Sequence, residues 1–77
     1  MRRVRVLPDI DKLVDKRVRL GMNQSEFAQK AGMSVSHVGM VESGERGVSP
    51  AVAQRMASAL EIEFDDLFTI ERGGGDV

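Results

Sequence analysis

Short polar side chains and one arginine are concentrated between positions 23 and 46. They are Asn23, Gln24, Ser34, Ser36, His37, Ser43 and Arg46. Amide, hydroxyl and imidazole groups donate and accept hydrogen bonds, and a guanidinium binds carboxylate or phosphate oxygens. The sequence has one histidine, no cysteine, no Ser/His/acid arrangement and no nucleotide-binding loop. We therefore expect recognition through hydrogen bonds, with no enzymatic activity, no cofactor and no metal.

Two short helices separated by a tight turn are predicted to carry these side chains. Asn23 has the chemistry of an N-cap, which predicts a helix over about 24–31. Gly32 can adopt a positive φ and turn the chain, and Ser34 then caps a helix over about 35–42. The residues expected to face inward are Phe27, Ala28, Ala31, Val38 and Val41. Two helices joined in this way form a helix-turn-helix pattern.

Three further helices are predicted around this pair. A first helix over about 10–20 follows the N-cap Asp9. Its apolar stripe comprises Ile10, Leu13, Val14, Val18 and Leu20. A fourth helix begins at Pro50, because proline is tolerated at the first helical position, and a short fifth covers about 64–69. The segment 3–7 has some strand character but is short and charged, so we predict an all-α, five-helix fold.

The chain of 77 residues is expected to form one domain. The predicted boundaries are a basic N-terminal arm over 1–8, a helical domain over 9–70 and a flexible Gly-rich tail over 71–77. No apolar run approaches about 20 residues, so we expect no membrane span. The basic start has no apolar stretch behind it, which argues against a signal peptide. We expect a cytoplasmic protein.

The charge is unevenly distributed along the chain, although the net charge is only −1. Residues 1–30 carry +4, residues 31–60 are neutral, and residues 61–77 carry −5. A local concentration of positive charge attracts an anionic partner even when the net charge of the protein is close to zero. The acidic cluster of residues 61–66 is expected to be a solvated helix N-terminus, where the helix dipole favours negative charge.

A recurring set of residues makes the chain resemble the Cro/CI-type regulators, also called the XRE family, which includes lambdoid phage repressors and Cro proteins. The set is Gln24, Ala28, Gly32, Val38, Glu42 and Gly44, followed by Ala59-Leu60 and Leu67-Phe68. The resemblance covers about residues 9–68. It implies a lambda-repressor-like DNA-binding domain that acts as a dimer on a two-fold-related DNA operator, with its third helix in the major groove.

The resemblance also implies roles for individual residues. The DNA-binding set is Asn23, Gln24, Ser34, Val35, Ser36, His37, Met40, Ser43 and Arg46, with Arg2, Arg3 and Arg5 in the N-terminal arm. Within it, Gln24 and Ser43 match phosphate-contacting positions, and Arg46 lies in the following loop, where phosphate contacts also occur in the family. Ser36 matches a base-contacting position. Val35 and Met40 match base-facing positions that are frequently polar in the family. These two side chains cannot hydrogen-bond a base but can pack on thymine methyl groups.

Two structural roles complete the expectations. Arg17 and Glu42 match a buried ion pair between the first and third helices. The apolar residues Phe64, Leu67, Phe68 and Ile70 fall within seven positions, more than a core of this size needs, and they are predicted to form a homodimer interface. The arm arginines are expected either to contact DNA or to be disordered.

More than one function is compatible with this sequence. A phage repressor, a Cro-like protein and a restriction-modification controller are not separated by these residues. The alternative from another class is an antitoxin-type interaction module that uses the same domain to hold a protein partner. The nine residues after Phe68 are short and Gly-rich, which argues against a large partner-binding extension.

Overall fold

The computed structural model describes residues 4–72, which form five helices and a two-stranded antiparallel sheet. The elements are β1 (Val4–Pro8), α1 (Ile10–Arg19), α2 (Gln24–Ala31), α3 (Val35–Glu42), α4 (Pro50–Ala59), α5 (Phe64–Leu67) and β2 (Phe68–Arg72). The five predicted helices are confirmed, but the prediction of an all-α fold is wrong because of the small sheet. Among the described residues, no helix has the length and apolar character required to cross a bilayer.

Local capping chemistry sets where the four longer helices begin. The side chains of Asp9, Asn23, Ser34 and Ser49 each accept a hydrogen bond from the amide three residues later. At α2 the bond is reciprocal, since the Glu26 carboxylate also accepts from the Asn23 amide. Each cap pairs amides that an isolated helix end leaves without a partner. Helix α5 has no side-chain cap at Glu63 and extends over only four residues.

The core is built from the inward faces of all five helices, from Val6 of β1 and from Phe68 of β2. Its largest fully buried side chains are Leu13, Phe27, Val38, Val41, Met56, Leu60 and Leu67. The inward positions predicted for α2 and α3 are all buried. The predicted stripe of α1 is wrong at Val18, which is 60% exposed. Only Leu13 of that stripe is fully buried, because α1 packs on the core along a narrow line.

The sheet joins two segments that are far apart in the sequence. Val4 pairs with Arg72 and Pro8 with Phe68, and the pairs between them keep the same register. Val6 is buried, and it also forms an isolated bridge to Val48 on its other side. The predicted fifth helix therefore ends early, at Leu67, because the chain from Phe68 onward is extended beside β1.

The sheet also changes the predicted boundaries of the arm and the tail. Residues 4–8 of the predicted arm form β1, and residues 71–72 of the predicted tail belong to β2. Arg2 and Arg3 lie outside the described residues, as does the Gly-rich segment 73–77. The segment that looked too short and charged to be a strand is stabilised by pairing with a partner more than sixty residues away.

An ion pair connects α1 to the end of α3. Arg17 Nε donates to Glu42 Oε2 at 2.7 Å and Nη2 donates to Oε1 at 3.1 Å, so the contact is bidentate. The two side chains are only 11% and 8% exposed. The third arm of the guanidinium donates to the Met22 carbonyl oxygen at 2.9 Å. Every charged group of the pair is therefore hydrogen-bonded, as a buried charge requires.

We expect Arg17→Met to lower the free energy of unfolding by about 3–5 kcal/mol, because the substitution leaves the Glu42 carboxylate buried without its countercharge. The matched control is Arg19→Met on the same helix. Arg19 pairs with Asp15 in an exposed i,i+4 contact, so its loss should be under about 1 kcal/mol. Urea denaturation of both variants measures the difference. Equal losses would contradict a structural role specific to the buried pair.

Candidate nucleic-acid interface

Helix α3 is fixed against α2 by its two buried valines. Val38 and Val41 are fully buried, and Ala28 of α2 lies in the same core. Gly32, with φ of 70°, makes the turn between the two helices. The Arg55 side chain in α4 donates to the carbonyl oxygens of Ala31 and Gly32, at 2.9 and 3.4 Å. These contacts set the angle at which the outer face of α3 is presented.

The first turn of α3 is the most exposed part of the predicted reading surface. Val35 is 47% exposed and Ser36 is also exposed. Met40, one turn further along, is partly buried. A Cβ added at Gly39 would meet no other atom within 4 Å, so a second backbone can approach this part of the helix closely. The exposed face of α3 thus combines apolar surface with one hydroxyl.

The predicted contact residues Asn23 and Ser34 are occupied as helix caps. Asn23 Oδ1 accepts from the Glu26 amide at 2.7 Å, and Ser34 Oγ accepts from the His37 amide at 3.0 Å. Because each cap satisfies the N3 amide, other amides of the first turns of α2 and α3 stay available to an external acceptor. Such amides bind phosphate oxygens readily.

His37 points toward the connection between α3 and α4. Its Nε2 lies 3.5 Å from the Gly47 carbonyl oxygen, at the long limit for a hydrogen bond. The side chain is partly buried. The imidazole therefore contacts the protein's own backbone, and its other ring nitrogen is the group left to meet a ligand.

Gln24 is held in place by the buried ion pair. Its Nε2 donates to Glu42 Oε1 at 2.9 Å, the same oxygen that accepts from Arg17. The Gln24 amide oxygen and second N–H remain for a further partner. The start of α2, the end of α3 and α1 are thus connected through one carboxylate.

Ser43 already has hydrogen-bond partners within the protein. Its Oγ lies 3.0 Å from both the Met40 carbonyl oxygen and Glu45 Oε2. Glu45 was not identified from the sequence, although its carboxylate lies beside a hydroxyl predicted to contact phosphate. Arg55 was missed as well, because nothing in the local pattern indicates a contact with a helix end 24 positions away.

The basic excess of residues 1–30 does not produce an unopposed positive surface among the described residues. Most of these cations face a carboxylate, in the pairs Arg5–Glu71, Arg17–Glu42, Arg19–Asp15 and Lys30–Glu61. Arg5, predicted to lie in a DNA-contacting arm, instead occupies β1 and lies 3.4 Å from Glu71. Within residues 4–72, exposed Arg46 has no carboxylate within salt-bridge distance. Lys12, Lys16 and Arg55 likewise form no salt bridge in this part of the chain, but Arg46 lies in the loop that follows α3.

The four residues predicted to form a dimer interface are not equally accessible. Leu67 and Phe68 are 1% and 4% exposed, and both lie in the core of the protomer. The expectation that they would be left for a partner is therefore wrong for this conformation, because β2 and α5 fold back onto the core. Phe64 is partly buried with its ring centroid 5.2 Å from that of Phe68, whereas Ile70 is 48% exposed.

Comparisons with known proteins agree with this geometry. A model of the helix-turn-helix family HTH_3 matches residues 13–67. The restriction-modification controller protein C.AhdI from Aeromonas hydrophila is 35% identical, with a TM-score of 0.71 over 74% of this chain and 86% of that one. The transcription factor NHTF from Neisseria, described as hypothetical, is 25% identical, with a TM-score of 0.68 over 77% and 75% of the two chains.

A third structure is that of a longer protein. An HTH_3 family transcriptional regulator from Vibrio cholerae is 31% identical, with a TM-score of 0.66 over 71% of this chain. The match spans only 31% of that regulator's length. A search of curated protein sequences gives no significant match. The family model covers most of the chain, including all of α2, α3 and α4, and the chain therefore belongs to the HTH_3 helix-turn-helix family.

Proposed function

We propose that this protein is a transcriptional regulator that binds double-stranded DNA by inserting the N-terminal half of α3 into the major groove. The observation that carries the proposal is the exposed first turn of α3, with Val35 and Ser36, on a helix whose opposite side is fixed by buried Val38 and Val41. The major groove, about 12 Å wide, admits one helix. Membership of the HTH_3 family and the structural similarity to a restriction-modification controller and a transcriptional regulator support the same function.

The base-reading part of the interface is small. Ser36 supplies a hydroxyl that can donate to or accept from a base edge. Val35 and Met40 offer methyl and thioether surface suited to the C5-methyl group of thymine. With one hydroxyl and two apolar side chains, α3 favours sites rich in thymine at defined positions. Sequence-dependent DNA shape supplies the remaining discrimination.

Phosphate contacts place the helix in the groove and come largely from uncharged groups. Gln24, held by Glu42 at 2.9 Å, lies at the start of α2, where unpaired amides also face outward. Arg46 is the cation available close to α3. Contacts of this kind fix register and orientation but carry no direct sequence information. We infer a regulator that binds as a dimer, with two α3 helices about 34 Å apart on one face of the duplex.

Among regulator types, a restriction-modification controller is the role that we favour. The support is the 35% identity with such a controller across 86% of its length, so the two chains are alike in size as well as fold. Binding of the protein to DNA immediately upstream of its own gene, and of any neighbouring endonuclease gene, tests this role. Absence of a site there would favour a phage-type or antitoxin-type regulator instead.

We expect selection from a random DNA pool at defined salt to yield a site with two related halves. Ser36→Ala and Val35→Ser should change the preferred bases, with about 1–3 kcal/mol lost at particular positions. Gln29→Ala, on the exposed side of α2 nearer its C-terminus, serves as the control and should keep the wild-type ranking. If the Ser36 and Val35 variants select the same sites as the wild type, α3 does not read the sequence as proposed.

We expect Arg46→Ala to weaken binding to every site alike and to reduce the slope of log affinity against log salt by about 0.9 per protomer. Lys30→Ala is the matched control, because the Lys30 ammonium already lies 4.0 Å from the Glu61 carboxylate. Fluorescence anisotropy over a series of salt concentrations measures both the affinity and its dependence on salt. An unchanged slope in the Arg46 variant would remove this residue from the phosphate contacts.

We expect Glu45→Gln to strengthen DNA binding on the order of fivefold at low salt. Its carboxylate lies 3.0 Å from the Ser43 hydroxyl, and two like charges about 4 Å apart in water repel by about 1 kcal/mol. Glu63→Gln, at the uncapped start of α5, removes the same charge elsewhere and serves as the control. Equal gains in the two variants would indicate a general charge effect and not a contact near Ser43.

A further inference from the structure

The outer edge of β2 has no partner strand within residues 4–72. The sheet has two strands, and β1 contacts β2 on one side and Val48 on the other, through the bridge at Val6. Strand β2 is therefore bordered on one side only. Natural proteins usually protect such an edge with proline, a bulge, charged side chains, lysine above all, or a covering segment. The five residues of β2 include neither proline nor lysine, and the two charged residues, Glu71 and Arg72, lie at the end of the strand, so Phe68, Thr69 and Ile70 are without such protection.

The register identifies which backbone groups of β2 face this open edge. Opposite residues of an antiparallel pair alternate between hydrogen-bonded and non-hydrogen-bonded positions. The Asp9 amide donates to the Leu67 carbonyl oxygen at 2.8 Å, so Asp9 and Leu67 are a hydrogen-bonded pair. Every second pair of residues along the sheet from Asp9 and Leu67 is therefore hydrogen-bonded as well. Ile70, opposite Val6, falls in a non-hydrogen-bonded position, as does Pro8, which has no N–H to donate. The Ile70 amide and carbonyl therefore point outward.

The side chain of Ile70 adds apolar surface at the same place. Opposite residues of an antiparallel pair project to the same face of the sheet, so Ile70 lies on the face of Val6. Val6 is buried at 3% exposure, whereas Ile70 is 48% exposed. Val6 has the core and Val48 beside it, but Ile70 has a neighbouring strand on one side only. A further strand at the edge would cover it.

We propose that two copies of this chain associate by antiparallel pairing of their β2 strands around a two-fold axis at Ile70. The result is a continuous four-stranded sheet in the order β1–β2–β2–β1. This inference names the dimer contact that the proposed function requires, but the geometry that supports it is independent of DNA. It replaces the expected contact through Leu67 and Phe68, which the protomer's own core already buries.

Two other symmetric registers would place the two-fold axis one residue earlier or one residue later in β2, and the sequence of the strand disfavours both. An axis at Glu71 would place two carboxylates directly opposite each other, which is destabilising. An axis at Thr69 would place Glu71 opposite Leu67, which belongs to α5, and would pair only three residues of each strand. An axis at Ile70 pairs all five residues of β2 and places Thr69 opposite Glu71.

The same register also satisfies the outward backbone groups. The two copies of Ile70 exchange two N–H···O=C bonds, and the amide of residue 72 donates to the Phe68 carbonyl of the other copy. The Phe68 amide is not needed, because it already donates to the Phe64 carbonyl oxygen. The side chains of Ile70 and Val6 from both copies then form one apolar row across the sheet, with neighbouring strands about 4.8 Å apart.

Sedimentation equilibrium of the full chain without DNA, over a series of concentrations, tests the proposal. The wild type should show a monomer–dimer equilibrium. Ile70→Lys places two ammonium groups at the two-fold axis, and Ile70→Pro removes the outward N–H together with the isoleucine side chain, so each should weaken dimerisation more than tenfold. Val18→Lys is the matched control, because it changes an exposed valine on α1 to the same charge, and it should dimerise like the wild type. Helical circular dichroism establishes that each variant is folded.

A single-cysteine variant keeps the test decisive if an edge variant fails to fold. The chain has no cysteine, so Ile70→Cys introduces one thiol per copy. Hydrogen-bonded antiparallel partners have Cα atoms about 5.5 Å apart, within the usual range for a disulfide. Mild oxidation should cross-link Ile70→Cys in high yield, and Val18→Cys should stay monomeric on a denaturing gel.

The outcomes for self-association and for DNA binding are separable. A wild type that is monomeric at every concentration, or a dimer that survives both Ile70→Lys and Ile70→Pro, would overturn the β2 contact. A monomeric protein that still selects a DNA site would overturn this inference and leave the proposed function standing. A dimer that is lost in the Ile70 variants but selects no DNA site would support the contact and count against the proposed function.

Discussion

The Glu42 carboxylate holds three helices in a fixed relation. It accepts two bonds from Arg17 in α1 and one from Gln24 at the start of α2, and it lies itself at the end of α3. A folded protein tolerates a buried carboxylate that is fully hydrogen-bonded and paired with a cation. Removing that cation leaves an uncompensated buried charge, which strongly destabilises the fold. The position of Gln24 relative to the outward face of α3 therefore depends on an interaction that lies behind the proposed DNA surface.

The parts of the fold that the sequence predicted are those determined within a few residues. The N-caps at Asn23 and Ser34 and the turn at Gly32 act on neighbouring amides, so α2 and α3 were located with the correct bounds. The Arg17–Glu42 contact was expected only because the chain resembles a known family. Nothing local to either residue indicates it, since the two positions are 25 apart.

The parts that were missed depend on contacts between distant segments. The segment that forms β1 and the end of the predicted fifth helix each carry a weak and ambiguous pattern, and only the pairing of residues 4–8 with residues 68–72 makes both extended. The charge pattern was misleading for the same reason. Arg5 and Lys30 count as basic in the sequence, but in the fold they face Glu71 and Glu61. Charge along the chain therefore overestimated the positive surface available to an anionic partner.

The pairing of β1 with β2 has a consequence for the order in which the domain is completed. Val4 lies opposite Arg72, so the closing contact of the fold joins the first and last described residues. Contacts of such long sequence separation form slowly, because the chain must lose loop entropy before they contribute stability. A chain synthesised from its N-terminus lacks the partner strand of Val6 until residues 68–72 have been added. A chain interrupted before residue 68 would thus leave β1 with both an apolar side chain and backbone groups exposed, the features that lead nascent chains to aggregate.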